Sequence, residues 1–138
     1  MNVEGIKLGG YLKKGFVHLI ILVIWAIVGF VFSIFNPAIA FAMGLIAPIP
    51  MIVIFGHLGG KFKKKNQAGF AGILIGLITG AVAGLFMANE IIWQLYVPFI
   101  GSQTLSMLSY ASFIAISRAI FGWLFAMLGF CLFRGKFR

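Results

Sequence analysis

Few residues of this chain could carry out acid–base or metal chemistry. The 138 residues include two carboxylates, Glu4 and Glu90, two histidines, His18 and His57, a single cysteine and no aspartate. Paired carboxylates in one site and Asp-containing triads are therefore not expected. Two histidines with no cysteine or carboxylate nearby in sequence make a poor metal site, and hydrogen bonding at the membrane interface is the simpler role. We expect no enzyme activity, no metal and no cofactor.

Two ionisable residues, Arg118 and Glu90, lie in or beside long apolar segments of the sequence, on the side away from most of the basic residues. Arg118 lies about six residues inside the last segment, about 9 Å deep at the rise of an α-helix. It could snorkel to the outer surface, form an ion pair with Glu90, or line the mouth of an anion-binding pore. Proton- and sodium-coupled transporters usually carry a carboxylate in their core, and the apolar segments contain none.

Pro48 and Pro50 lie near the middle of the second apolar segment. Each lacks an N–H group and clashes with the carbonyl four residues earlier, at Gly44 and Ile46, so this helix is predicted to be kinked. Carbonyl groups freed at membrane depth must bond to neighbours or water, or line a cavity. A static kink is the more common outcome, because proline is frequent in membrane helices, and a functional break is the alternative.

Small residues recur at helical spacing in the third and fourth apolar segments. Such rows let two helix backbones approach closely, which drives helix association in lipid. The third segment has four glycines spaced by four residues: Gly72, Gly76, Gly80 and Gly84. The fourth has a heptad-like seam: Ala115, Ala119, Gly122, Ala126 and Gly129. Contact between the two rows within the chain is the simplest arrangement, and a homo-oligomeric or foreign interface is the alternative.

Four apolar segments must position these residues. Hydrophobic residues make up 62% of the chain and charged residues 9%, which is far from the composition of soluble domains. The segments are 16–35, 38–58, 69–88 and 112–133, each about 20 residues and so long enough to span a bilayer as a helix. The sequence predicts one all-α integral membrane domain, residues 1–138, with four transmembrane helices in two antiparallel hairpins.

The basic residues predict the orientation of these helices. Ten of the eleven Lys and Arg residues flank the segments on one side, which the positive-inside rule assigns to the cytoplasm together with both termini. The net charge of +9 therefore reflects topology and attraction to anionic lipid headgroups, and not nucleic-acid binding. The loop residues expected to contact headgroups are Lys61, Lys63, Lys64 and Lys65. We expect the protein in the plasma membrane of a prokaryote.

The outer segment 90–110 is too apolar for an open loop. It could lie in the interface, re-enter the membrane, or extend the helices on either side of it. The pattern as a whole predicts a helix-packing or scaffolding unit, which self-associates or serves as a subunit of a membrane complex. The alternative is an uncoupled channel or carrier for ions or small solutes, built from the proline break, the glycine row and Arg118.

Overall fold

The computed structural model describes residues 2–3, 5–95, 103–134 and 136, with side chains for all of these except residues 33, 37, 40, 41, 87–95 and 103–107. The described chain is mostly helical. Its elements are β1 Asn2–Val3, β2 Ile6–Lys7, α1 Leu8–Lys14, α2 Phe16–Phe35, α3 Pro37–Ile46, α4 Pro48–Gly59, α5 Lys65–Leu95 and α6 Gln103–Phe133.

Two helices are long and apolar enough to cross a membrane. They are α5, over Lys65–Phe86, and α6, over Leu108–Phe133. A third candidate span exists if α1 and α2, which are bent by 64° relative to each other, are counted together. Helix α4 is apolar but shorter. The described chain therefore has two to three candidate membrane-spanning helices by length and composition.

Helix α2 occupies the first predicted segment with the same bounds, and the second segment is divided at Ala47. Ala47 keeps helical dihedral angles, φ −53° and ψ −34°, and its carbonyl accepts a 3.2 Å hydrogen bond from the amide of Met51. Pro48 and Pro50 thus end α3 and begin α4 without reversing the chain, because their rings fit the first turn of a helix but not its interior.

Helices α5 and α6 are both longer than the apolar segments that predicted them. Residues 90–95 continue α5 and residues 103–110 belong to α6. The described parts of the outer segment 90–110 are therefore helical extensions, and residues 96–102 lie outside the described chain.

The glycine row of α5 lies directly against the backbone of α6. A Cβ atom added at Gly72 would meet the carbonyl oxygen of Gly122, and one added at Gly76 would meet the carbonyl oxygen of Arg118 and lie 3.0 Å from the Cα of Ala119. Nothing larger than hydrogen fits at either position. The two helices are in van der Waals contact along their main chains, which is the packing that stabilises helices in lipid.

The same contact continues toward the other end of α5. A Cβ atom added at Gly80 would lie 2.7 Å from the Cα of Ala115, and one added at Gly84 would lie 2.6 Å from the Cα of Ala111. Positions that rise along α5 therefore meet positions that fall along α6, so the two helices run antiparallel.

Helix α4 forms a second close contact with α6, which the sequence did not predict. A Cβ atom added at Gly59 would meet the backbone of Ala126, and one added at Gly129 would meet the carbonyl oxygen of Gly56. Ala126 and Gly129 of the small-residue seam thus contact α4, although Ala126 also approaches Gly72 of α5. Helix α6 is therefore held between α5 and α4.

Many large apolar side chains lie on the outside of this arrangement. Phe35 is 81% exposed, Val53 69% and Phe113 67%, and similar residues cover the outer faces of α2, α4 and α6. Buried between the elements are small side chains, which are Ala26, Ala68, Ala71, Ala83, Ala111, Ala115, Ala119 and Ala126, and a cluster of large ones, which includes Leu22, Phe55, Leu58, Phe62 and Ile75. The extensive apolar surface suits hydrocarbon as the surrounding solvent.

The N-terminal residues fold over the basic end of the helices. Gly5, at φ +85°, makes the turn between β1 and β2, and α1 follows. Tyr11 of α1 is fully buried, and its hydroxyl donates a 2.7 Å hydrogen bond to the carbonyl of Val3. Its ring stacks on Phe62 at 5.6 Å and meets the edge of Phe70 at 4.8 Å between centroids. The described residues before α2 thus form an N-terminal cover that packs on the loop after α4 and on α5.

Candidate functional site around Arg118

Arg118 is the middle residue of the 31-residue helix α6. It lies ten residues after Leu108, where the apolar span begins, which corresponds to about 15 Å of helical rise. The sequence placed it nearer the outer surface, because the span was expected to begin at residue 112. A charge close to the centre of an apolar span is costly and usually serves binding or transport.

The side chain of Arg118 lines a small cavity at the proline break. The cavity has a volume of about 40 Å³, enough for a few water molecules or a small anion. Helices α2 and α4, with the residue that joins α3 to α4, supply the remaining wall, which is entirely apolar: Ile21, Leu22, Trp25, Ala47, Pro50, Met51 and Ile54. The structure therefore brings together two features that the sequence suggested separately, the proline break and the buried cation.

One nitrogen of the Arg118 guanidinium, Nη1, is buried and has no hydrogen-bond partner among the described residues. A guanidinium has five N–H donors, and leaving a buried charged donor unpaired costs several kcal/mol. An anion would offset this cost best, because it supplies both charge and acceptor atoms. Nη1 is closed off from the cavity, whose surface is apolar, so a ligand in the cavity could reach it only after the side chain moved.

The ion pair predicted between Arg118 and Glu90 falls on a side chain outside the described ones, so it stays a prediction. The register of the helices gives it little support. Gly76 of α5 lies beside Arg118, and Glu90 follows Gly76 by fourteen residues of the same helix, which is about 21 Å of rise. Arg118 and Glu90 are therefore far apart along the helix axis.

His18 of α2 and His57 of α4 contact each other near the basic ends of these two helices. Their atoms His18 Nε2 and His57 Nδ1 lie 3.0 Å apart, with ring centroids 5.2 Å apart. His18 is only 4% exposed, whereas His57 is exposed. The sequence predicts an interfacial hydrogen-bonding role for each, and in the structure the two histidines are partners of each other. Among the side chains that the structure describes, no group of three His, Cys, Asp or Glu could hold a metal ion.

The lysines predicted to contact headgroups lie in the loop between α4 and α5 and at the start of α5. The ammonium of Lys61 donates a 3.2 Å hydrogen bond to the carbonyl of Lys14, and the ammonium of Lys14 lies 5.0 Å from the ring centre of Phe62. Lys63, Lys64 and Lys65 are exposed and available to anionic headgroups. A hydrogen bond and a cation–π contact thus connect the basic loop, residues 60–64, with the N-terminal cover.

Sequence reasoning missed Trp25 and Met51 as parts of the site, because an apolar residue in an apolar helix carries no distinguishing signal. It also missed the pairing of the two histidines, which are separated by 39 positions. Compared with known protein families, curated proteins and solved structures, the chain shows no significant match to any of them.

Proposed function

We propose that this chain is a four-pass integral membrane protein that binds small anions at Arg118 and conducts them across the membrane as a channel or carrier. The observation that supports this function is the buried Nη1 atom of Arg118, a residue that also lines the cavity at the proline break. A buried charge that only held the fold together would be expected to have hydrogen-bond partners for all its donors, and Nη1 has none among the described residues.

The four passes comprise α2, the kinked pair α3 and α4, α5, and α6. The contacts at the basic end support this arrangement. Lys61, after α4, bonds to Lys14, before α2, and Phe70 of α5 packs on Tyr11 of α1. The start of α2, the end of α4 and the start of α5 therefore share one side, which the positive-inside rule assigns to the cytoplasm.

The proposal can be tested by fluorescence, because Trp25 lines the same cavity as Arg118. Substitution of Trp93 and Trp123 by phenylalanine leaves Trp25 as the only tryptophan, since the chain has three. Iodide, an anionic quencher, should then quench Trp25 in nanodiscs. We expect Arg118→Gln to weaken iodide binding by about tenfold or more, because a charge-assisted hydrogen bond is lost.

Two comparisons make this test specific. Acrylamide, a neutral quencher, should act on Trp25 equally in the wild type and in Arg118→Gln. Arg134→Gln removes a positive charge just beyond the same helix, where the guanidinium lies 5.9 Å from the ring centre of Phe130, and should leave iodide quenching unchanged. Equal iodide quenching in the wild type and in Arg118→Gln would falsify the anion site.

Binding must be accompanied by flux for the channel or carrier function. Liposomes that contain the wild-type protein should release chloride down its gradient, and liposomes with Arg118→Gln should do so at least about tenfold more slowly. Binding without flux in the wild type would identify a static anion site and exclude conduction.

A scaffolding role is the second candidate, and the exposure of α2 favours it. Val17 is 59% exposed, Ile34 63% and Phe35 81%, so much of this helix could be covered by another helix. The glycine row of α5 is already covered by α6 of the same chain, so self-association would have to use another surface, such as the exposed face of α2. Native mass spectrometry of gently extracted protein would show stoichiometric partners or a homo-oligomer in that case, and a monomer otherwise.

A further inference from the structure

The histidine pair lies between α2 and α4, the same two helices that supply most of the wall of the Arg118 cavity. On α2, His18 precedes Leu22 by four residues and Trp25 by seven, and residues at these spacings share one face of a helix. On α4, His57 follows Ile54 by three residues and Pro50 by seven. These four apolar residues line the cavity, so the histidine pair lies about one helical turn from it, toward the basic end.

One histidine of the pair is exposed and the other is buried, as a path for protons from the solvent into the protein requires. His57 is exposed, and its Nδ1 atom contacts His18 Nε2 at 3.0 Å. The other nitrogen of His18, Nδ1, is buried and has no hydrogen-bond partner among the described residues. Whichever tautomer His18 adopts, this nitrogen holds either an unused proton or an unused lone pair.

The charged surroundings of His18 are cationic. Lys61 and His57 are the titratable groups close enough to act on it electrostatically, and Arg118 lies on the facing helix beyond the cavity. Lys61 and His57 are both cationic when protonated, so an anion in the cavity would supply the negative charge that offsets a protonated His18.

We propose that His57 and His18 form a proton relay from the basic surface, so that the protein takes up a proton together with the anion. This inference rests on the anion site proposed above. His57 accepts a proton at Nε2 from a hydronium ion in the solvent, which leaves a water molecule, and transfers its Nδ1 proton to Nε2 of His18. His18 then carries protons on both ring nitrogens and a positive charge, while His57 is neutral again with its proton on Nε2.

The relay supplies the titratable group that the apolar segments otherwise lack. Proton coupling usually depends on a carboxylate in the membrane, and here an imidazole pair would replace it. Uptake of one anion together with one proton would add no net charge to the protein.

Proton uptake can be measured directly. Wild-type protein in nanodiscs, in weak buffer with a pH-sensitive dye, should take up about one proton for each iodide bound. His18→Gln should abolish this uptake while Trp25 still reports iodide. His57→Gln should keep the final uptake but slow it by about tenfold or more in stopped flow, because glutamine cannot pass a proton on. Lys63→Gln, in the exposed loop, is the matched control and should behave as the wild type.

The outcomes separate the relay from the anion site. Proton uptake by His18→Gln equal to that of the wild type overturns the relay. Quenching of Trp25 by iodide with no proton uptake in the wild type overturns it too, and leaves the anion site standing. Failure of iodide to quench Trp25 in the wild type removes the anion site and the relay with it.

Discussion

The α-carbon of Gly76 faces the main-chain carbonyl of Arg118, and no side-chain atom fits between them. This contact fixes where α6 lies against α5, and it therefore also fixes where the side chain of Arg118 begins. The glycine row and the cavity thus lie on two sides of one helix, since α6 presents its backbone to α5 while the Arg118 side chain lines the cavity together with α2 and α4. Close packing on one side positions the charge on the other.

Substitution at Gly76 tests this contact. Gly76→Ala would place a Cβ atom against the Arg118 carbonyl, and we expect a loss of stability of about 1–3 kcal/mol from overpacking. Gly76→Leu should have a larger effect of the same kind. Gly56→Ala is the matched control, because a Cβ atom there meets nothing within 4 Å. Thermal unfolding in detergent measures both, and equal melting temperatures would show that α5 and α6 are not in close contact.

Removal of the Arg118 charge should stabilise the protein. An arginine at the centre of a membrane helix costs about 2.5–3.5 kcal/mol, and Arg118→Met would relieve much of this cost while filling a similar volume. We expect the free energy of unfolding to rise as iodide quenching of Trp25 is lost. A fall in the free energy of unfolding would indicate instead that Arg118 has a structural partner.

Cysteine labelling tests the four-pass arrangement. In a Cys131→Ser background, which has no cysteine, Phe35→Cys should react with a membrane-impermeant maleimide from outside the cell, because Phe35 is 81% exposed and ends α2. Lys63→Cys, in the loop after α4, should react only after the membrane is opened. Labelling of both positions from the same side would exclude a crossing by α3 and α4.

Loss of the Tyr11 hydroxyl should loosen the N-terminal cover. Tyr11→Phe removes the 2.7 Å hydrogen bond to the carbonyl of Val3, at a cost of about 1 kcal/mol. Amide hydrogen exchange over residues 2–14 should become about fivefold faster, as expected for a local opening. Lys13→Ala changes an exposed side chain of the same helix and should not alter the exchange. Unchanged exchange in Tyr11→Phe would show that aromatic packing alone holds the cover.

Helix α2 was predictable to the residue, because Gly15 and Asn36 bound a continuous apolar run and Asn36 caps the next helix through its side chain. The break at Pro48 was predictable because proline has the same effect in any helix. The N-terminal cover was not predictable. Gly9 and Gly10 disfavour a helix, and Phe62, on which Tyr11 stacks, is distant in sequence.

The Arg118 site was predictable only in part. An arginine within an apolar segment indicates a possible site, but its depth depends on where the helix begins, and polar residues from Gln103 onward continue α6. The wall from α2 and α4 arises from tertiary packing, to which a single apolar side chain such as Trp25 contributes no local pattern. The relation between His18 and His57 depends on that same packing.

The docking of Tyr11 against Phe62 and Phe70 imposes an order on biosynthesis. Tyr11 cannot reach its final position until Phe70 of α5 has been made, by which time α2 to α4 are already complete. The segment that contains Tyr11 must therefore remain undocked while these helices are made. Its closure over the basic loop marks the completion of that end of the protein.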